Sequence, residues 1–200
     1  MTVRYRARHR EPAGRTGGVR GNEQLTALTG AVLLAGFAAE GLTILSVRQL
    51  LFWHFFLGLL LLGPVTLKIA SVCYRFARYY AGSRPYLRRG PPAPLLRVLG
   101  PLVISTSVAV LGTGVALAVA GPGSGPWLLL HKAAFIAWFC CMTVHVLAYA
   151  PRLPRLLVRG TRPATALTGT WMRLTATAAA LGGGLLVAVL AVHTAGRWHA

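Results

Sequence analysis

The sequence predicts an all-α, polytopic membrane protein: a four-helix bundle with a fifth transmembrane helix added to it. Three observations carry this. Of 200 residues, 55% are hydrophobic and only 12% are charged, where a soluble domain has about 25% charged residues. Five separate apolar stretches reach the roughly 20 residues that a helix needs to cross a bilayer. The 21 Lys and Arg against 3 Asp and Glu fall between those stretches and not within them, apart from a few. A net charge of +18 would ordinarily suggest a polyanionic partner, but this placement is how membrane proteins use basic residues. Disordered, water-soluble and nucleic-acid-binding classes are thereby set aside.

The chain divides into a basic, flexible arm over 1–22, a bundle over 23–153, and a link with a fifth helix over 154–200. The arm carries Arg4, Arg6, Arg8, Arg10, Arg15 and Arg20. Those arginines spread over the whole stretch, and no short apolar region with a cleavage site follows, so a secretory signal is not expected. The five spans are expected at about 24–46, 49–71, 98–120, 127–149 and 174–195. Pro91, Pro92 and Pro94 precede the third. The run Gly121-Pro122-Gly123-Ser124-Gly125-Pro126 separates the third from the fourth. Pro151, Pro154 and Pro163 mark the link to the fifth. In that last span Gly182, Gly183 and Gly184 lower helix propensity, yet three small residues also permit close approach to a neighbouring backbone.

Basic residues set the orientation. Seventeen lie in the arm and in the segments 72–97 and 150–173, and only Arg48, Lys132 and Arg197 lie on the other side. By the positive-inside rule the N-terminus is cytoplasmic, the C-terminus is outside, and the protein sits as a multi-pass protein in the cytoplasmic membrane. The same arginines suit lipid headgroups. Trp53, Trp127 and Trp198 fall near the outer interface, where an aromatic belt is expected.

Ionisable groups inside a bilayer are costly and mark function by default. They are Glu40 in helix 1, His54 and Lys68 in helix 2, His131, Lys132 and His145 in helix 4, and His193 in helix 5. Helices 2 and 4 run in the same direction, so His54 and His131, each a few residues into its helix, share one depth in the outer half. His145 follows His131 by 14 residues, which is about 21 Å of rise and a return to within roughly 40° of the same face. Lys68 follows His54 by the same interval, which places it at the depth of His145.

Two imidazoles from facing helices at one depth suit axial ligation of haem, a flat apolar macrocycle that a helix bundle can bury. Zn or Cu would want further donors. Gly58, one turn after His54, would let a porphyrin face approach, and Gly36, Gly112 and Gly114 could serve likewise. Glu40, near the depth of His54 and His131, could orient a ligand imidazole or take a proton from a quinol. Lys68 is expected to snorkel toward the headgroups. Lys132 and His193 read as interfacial. Cys73, Cys140 and Cys141 form no CxxC or CxxCH pattern, which leaves no zinc ribbon or covalently attached haem.

The run WHFFLGLLLLGPVTLKIASVCYRFARYY and the later LLLHKAAFIAWFCCMTVHVLAYAPR resemble the membrane cytochrome b/b6 superfamily, in the manner of small actinobacterial cytochrome-b-like integral membrane proteins. The resemblance covers about residues 24–153. It implies a four-helix bundle in which four His hold two stacked b haems, one near each membrane face. Three of the four positions match, and Lys68 stands at the fourth, just after Pro64. The expectation is therefore one haem b on the outer side, held by His54 and His131. A second, more labile one using His145 alone or with Lys68 is left open.

The expected function is a b-type haem electron carrier passing electrons between quinone and a redox partner protein. It would be the membrane subunit of an oxidoreductase rather than an enzyme alone. The alternatives are a small transporter, a proton or metal relay built on Glu40, His54 and His131, an assembly factor, or a scaffold whose Arg-rich loops bind a cytoplasmic partner.

Overall fold

A computed structural model describes residues 18–90, 94–149 and 169–198. Five of its helices are long and apolar enough to cross a membrane, and no strand occurs among the described residues. They are α1 (Gly18–Ile44), α2 (Leu51–Tyr80), α4 (Pro94–Ala120), α5 (Gly125–Tyr149) and α6 (Thr170–Ala191). A short helix α3 (Arg84–Arg89) lies between α2 and α4, and a 3-10 helix (Val192–Trp198) closes the described chain. The protein is an all-α polytopic membrane protein. The helices end where the sequence supplies glycine in the left-handed region: Gly82 (φ 76°) just after α2 and Gly121 (φ 82°) just after α4, a conformation open to glycine without a Cβ penalty.

All five expected spans form, with shifted ends. Helix α1 begins at Gly18, so Arg20 belongs to the helix and not to the arm. Helix α2 continues to Tyr80, past the expected end of its span, and runs unbroken through Pro64. The rest of the arm, the prolines of 150–168, the arginines between them, His9 and His199 lie outside the described residues.

The helices form two layers. In one, α2 packs against both α1 and α6; in the other, α4 packs against α5. Contact between the layers is thinner and runs chiefly through α2 and α4. A small core of Leu33, Leu61 and Val65, backed by Phe37, Ile69 and Leu111, sits where the layers meet. Trp138 of α5 donates its indole N–H to Ser107 Oγ of α4 at 3.1 Å and packs its ring 4.7 Å from Phe37 of α1, which ties the layers together. Large apolar side chains such as Leu129, Ile136, Phe139, Leu186 and Leu190 remain exposed on the outside of the bundle, as lipid contact requires.

The fifth span is no appendage. Helix α6 is the most extensive neighbour of α2. Their backbones touch where Gly63 faces Ala180 and Gly184 faces Leu60: a Cβ on Gly63 would meet the Ala180 carbonyl oxygen, and one on Gly184 the Leu60 carbonyl oxygen. Pro64 contributes to this. It has no N–H to give to Leu60, the residue four before it, so that carbonyl is free to take a Cα–H contact from Gly184. The glycines that weaken the helix in isolation are thus what lets it dock.

A carboxylate clamps the arginine-bearing end. Glu23 of α1 accepts two hydrogen bonds from Arg89 of α3, at 2.8 and 3.3 Å, with Arg75 of α2 at 3.9 Å.

Candidate functional site

Two polar groupings lie in the seam between the layers, one toward each end of the bundle. The first lies at the end that carries Trp53 and Trp127. It joins α1, α2, α4 and α5 through Glu40, His54, Thr113 and His131. The His54 and His131 ring centroids are 6.5 Å apart, with the rings steeply inclined at 77°. Equal depth, inferred from position in the helices, is realised as direct apposition.

The hydrogen bonds place a hydrogen on Nδ1 of both rings. Thr43 Oγ1 lies 3.0 Å from His54 Nδ1 and donates its own proton to the Glu40 backbone carbonyl at 2.6 Å. A hydroxyl has one proton to give, so Thr43 accepts from His54 and Nδ1 carries the hydrogen. Glu40 Oε1, 2.9 Å from the same nitrogen, accepts from it as well. Thr113 repeats the arrangement. Its hydroxyl donates to the Ala109 carbonyl at 2.6 Å and stands 3.1 Å from His131 Nδ1, so His131 also donates from Nδ1. In the neutral form of either ring the lone pair is then on Nε2, and among the described residues no hydrogen bond reaches either Nε2. Glu40 and His54 are largely withdrawn from the surface, with side chains 14% and 22% exposed. Glu40 Oε2 is buried with no hydrogen-bond partner among the described residues.

The glycines have particular tasks here. Gly58 lies beside the Glu40 carboxylate, whose Oε1 would be in ordinary van der Waals contact with a Cβ at that position, at 3.6 Å. Gly114 admits the His131 ring, whose Cε1 would lie 3.2 Å from a Cβ. Gly36 packs against Leu61 and is not part of the site.

This donor set would offer a metal two imidazole nitrogens, one from α2 and one from α5, with the ring centroids 6.5 Å apart. Among the described residues no three His, Cys, Asp or Glu side chains gather as a metal set. The protein's offer is thus two nitrogen ligands, which fits haem, whose macrocycle supplies the other four donors.

The second grouping lies toward the arginine-bearing end. Lys68 of α2 and His145 of α5 both line an open-sided cleft between the layers. The 14-residue interval thus brings them to one depth, as expected. The Lys68 side chain takes a different course from the expected snorkel. Its ammonium turns inward and donates to the Thr26 backbone carbonyl of α1, in the space left by Gly30. The His145 ring packs 4.8 Å from Tyr149 and makes no hydrogen bond among the described residues. Of the remaining residues singled out from sequence, Lys132 and His193 are exposed. Cys73 and Cys140 are exposed, Cys141 is half-buried, and none is bonded to another cysteine.

Sequence reasoning missed Thr43 and Thr113. Thr43 had a signal: it lies three residues after Glu40, on the same helix face. Thr113, between Gly112 and Gly114, had none beyond its position in an apolar span. Comparison of the chain with protein-family models, with curated proteins and with solved structures gives no match.

Proposed function

We propose that the protein is a b-type haem electron carrier in which His54 and His131 would hold one haem. The single observation that supports this best is the pair of apposed imidazoles with both Nδ1 atoms committed to protein acceptors and both Nε2 atoms open. Metal-ligating histidines characteristically give their other ring N–H to a carboxylate, a carbonyl or another fixed acceptor.

Haem would supply reversible one-electron chemistry at its iron. The chain's own residues do the rest. Thr43 and Thr113 hold each ring at one rotation and, in the neutral ring, favour the tautomer with the hydrogen on Nδ1 and the lone pair on Nε2. Glu40 pulls on the Nδ1 hydrogen of His54, raises the basicity of its Nε2, and so favours the more oxidised state of a bound metal. In this reading the chain is the membrane subunit that passes electrons between a quinone and a redox partner protein.

The protein is placed in the cytoplasmic membrane with its N-terminus inside and its C-terminus outside, on the strength of the seventeen-to-three distribution of Lys and Arg. A phosphatase domain fused to the C-terminus and active only in the periplasm or beyond is expected to be active; an inactive but folded fusion contradicts the orientation.

A reduced-minus-oxidised difference spectrum of the purified protein tests the function. A b-type α-band is expected. A colourless protein that retains its helical content overturns the carrier. It would favour a proton relay, for which the Glu40–His54 hydrogen bond is the supporting contact.

A further inference from the structure

The cleft toward the arginine-bearing end holds an ammonium among apolar walls. Phe37, Val65, Ile104 and Met142 line it together with Lys68 and His145. An ammonium in such surroundings is costly unless a partner of opposite charge offsets its desolvation. The chain has three acidic residues. Glu11 lies outside the described residues, Glu23 is taken by Arg89 and Arg75, and Glu40 is taken by His54 at the other end of the bundle. No described carboxylate therefore pairs with Lys68. The Thr26 carbonyl uses one of its three N–H groups and leaves two to give. His145 adds a ring whose nitrogens have no described partner.

We propose that this cleft binds an amphiphile with an anionic head, carboxylate or phosphate, whose oxygens accept hydrogen bonds from Lys68 and His145 while its apolar body lies along the walls. The missing counter-charge is supplied by the ligand. Gly100, which lines the cleft and has no atom within 4 Å of where its Cβ would be, leaves the width that an acyl chain or a comparable apolar body needs. The proposal does not rest on the haem reading, because neither His54 nor His131 lines this cleft.

The test uses the full chain in nanodiscs of phosphatidylcholine with a spin-labelled stearate as probe. Unlabelled dodecanoate, dodecyl phosphate and dodecanol compete for the immobilised fraction. The two anions are expected to compete about tenfold better than the alcohol, as one charge-assisted hydrogen bond allows. Lys68→Met is expected to erase that preference and Lys68→Arg to keep it. Gly100→Leu, which fills the cleft and leaves the ammonium in place, is expected to weaken all three competitors.

Equal competition by anion and alcohol in the unaltered protein overturns the proposal, and so does a preference that survives Lys68→Met. Replacing phosphatidylcholine with phosphatidylglycerol distinguishes the sources. Displacement of the probe assigns the site to a membrane phospholipid, and retention assigns it to a free carboxylate. Haem absorbance is read in the same samples. A haem band lost in His145→Ala and kept in His54→Ala would place haem in the cleft and overturn the lipid assignment. A colourless protein with an intact anion preference would overturn the carrier and leave this proposal standing.

Discussion

The two ends of the seam between the layers, where α2 and α5 each carry the same 14-residue spacing, have different surroundings. Toward the tryptophan-bearing end, two imidazoles face each other and each gives its Nδ1 hydrogen to a side chain on a neighbouring helix. Toward the arginine-bearing end, a lysine replaces one imidazole, its ammonium bonds a backbone carbonyl, and the remaining imidazole makes no described hydrogen bond. The first end fixes ring rotation and tautomer before any ligand arrives. The second offers charge and space with little orientation. Spacing along a helix brings groups to one depth, and the hydroxyls and carboxylates around them decide what chemistry they can do.

The largest expected effect breaks the comparison at its better organised end. His54→Ala and His131→Ala each leave one axial nitrogen, and each is expected to abolish the low-spin b-type spectrum of the purified protein. His145→Ala is expected to leave it intact. Loss of the spectrum in His145→Ala alone would reverse the roles of the two ends.

Next in size is a packing change that touches neither end directly. Gly184→Leu forces a side chain into the Leu60 carbonyl at the α2–α6 crossing. Overpacking of this kind costs about 1–3 kcal/mol, and a backbone contact stands at the upper end of that range. Thermal unfolding in detergent is expected to show a lowered midpoint, and because α2 carries both groupings, haem retention is expected to fall with it. An unchanged midpoint would mean that α6 does not brace α2.

The third effect is smaller and separates the two histidines of the same end. Glu40→Gln keeps the shape at Gly58 and removes the charge that acts on His54. Loss of such a partner typically weakens metal affinity about 10- to 100-fold. The reduction potential is expected to rise, since a less basic imidazole stabilises the oxidised iron less. Potentiometric titration of the haem band measures this. A fall in potential would contradict the role given to Glu40.

Much of this arrangement was legible in the sequence. The five spans follow from length and apolarity, and the two depths follow from helical rise, because His54, Lys68, His131 and His145 sit at matched positions in helices of the same direction. What the sequence pattern did not reveal depends on which helices touch. Apolarity does not say that α6 lies against α2, since every span is apolar and lipid is as good a neighbour as another helix. Only the run Gly182-Gly183-Gly184 hinted at it. Thr113 could be matched to His131 only once α4 and α5 were known to pair. Lys68 looked free to reach the headgroups because its long stem allows it. The opening at Gly30, which draws the amine toward α1, belongs to a different helix 38 residues earlier.

Counting haem against protein tests the central claim most directly. Pyridine haemochrome absorbance of the purified, unaltered chain, divided by protein determined from amino-acid analysis, is expected to give one b haem per chain, carried by His54 and His131. No haem would contradict the carrier itself. Two per chain would contradict the contrast between the ends, because the grouping of Lys68 and His145 would then also hold one.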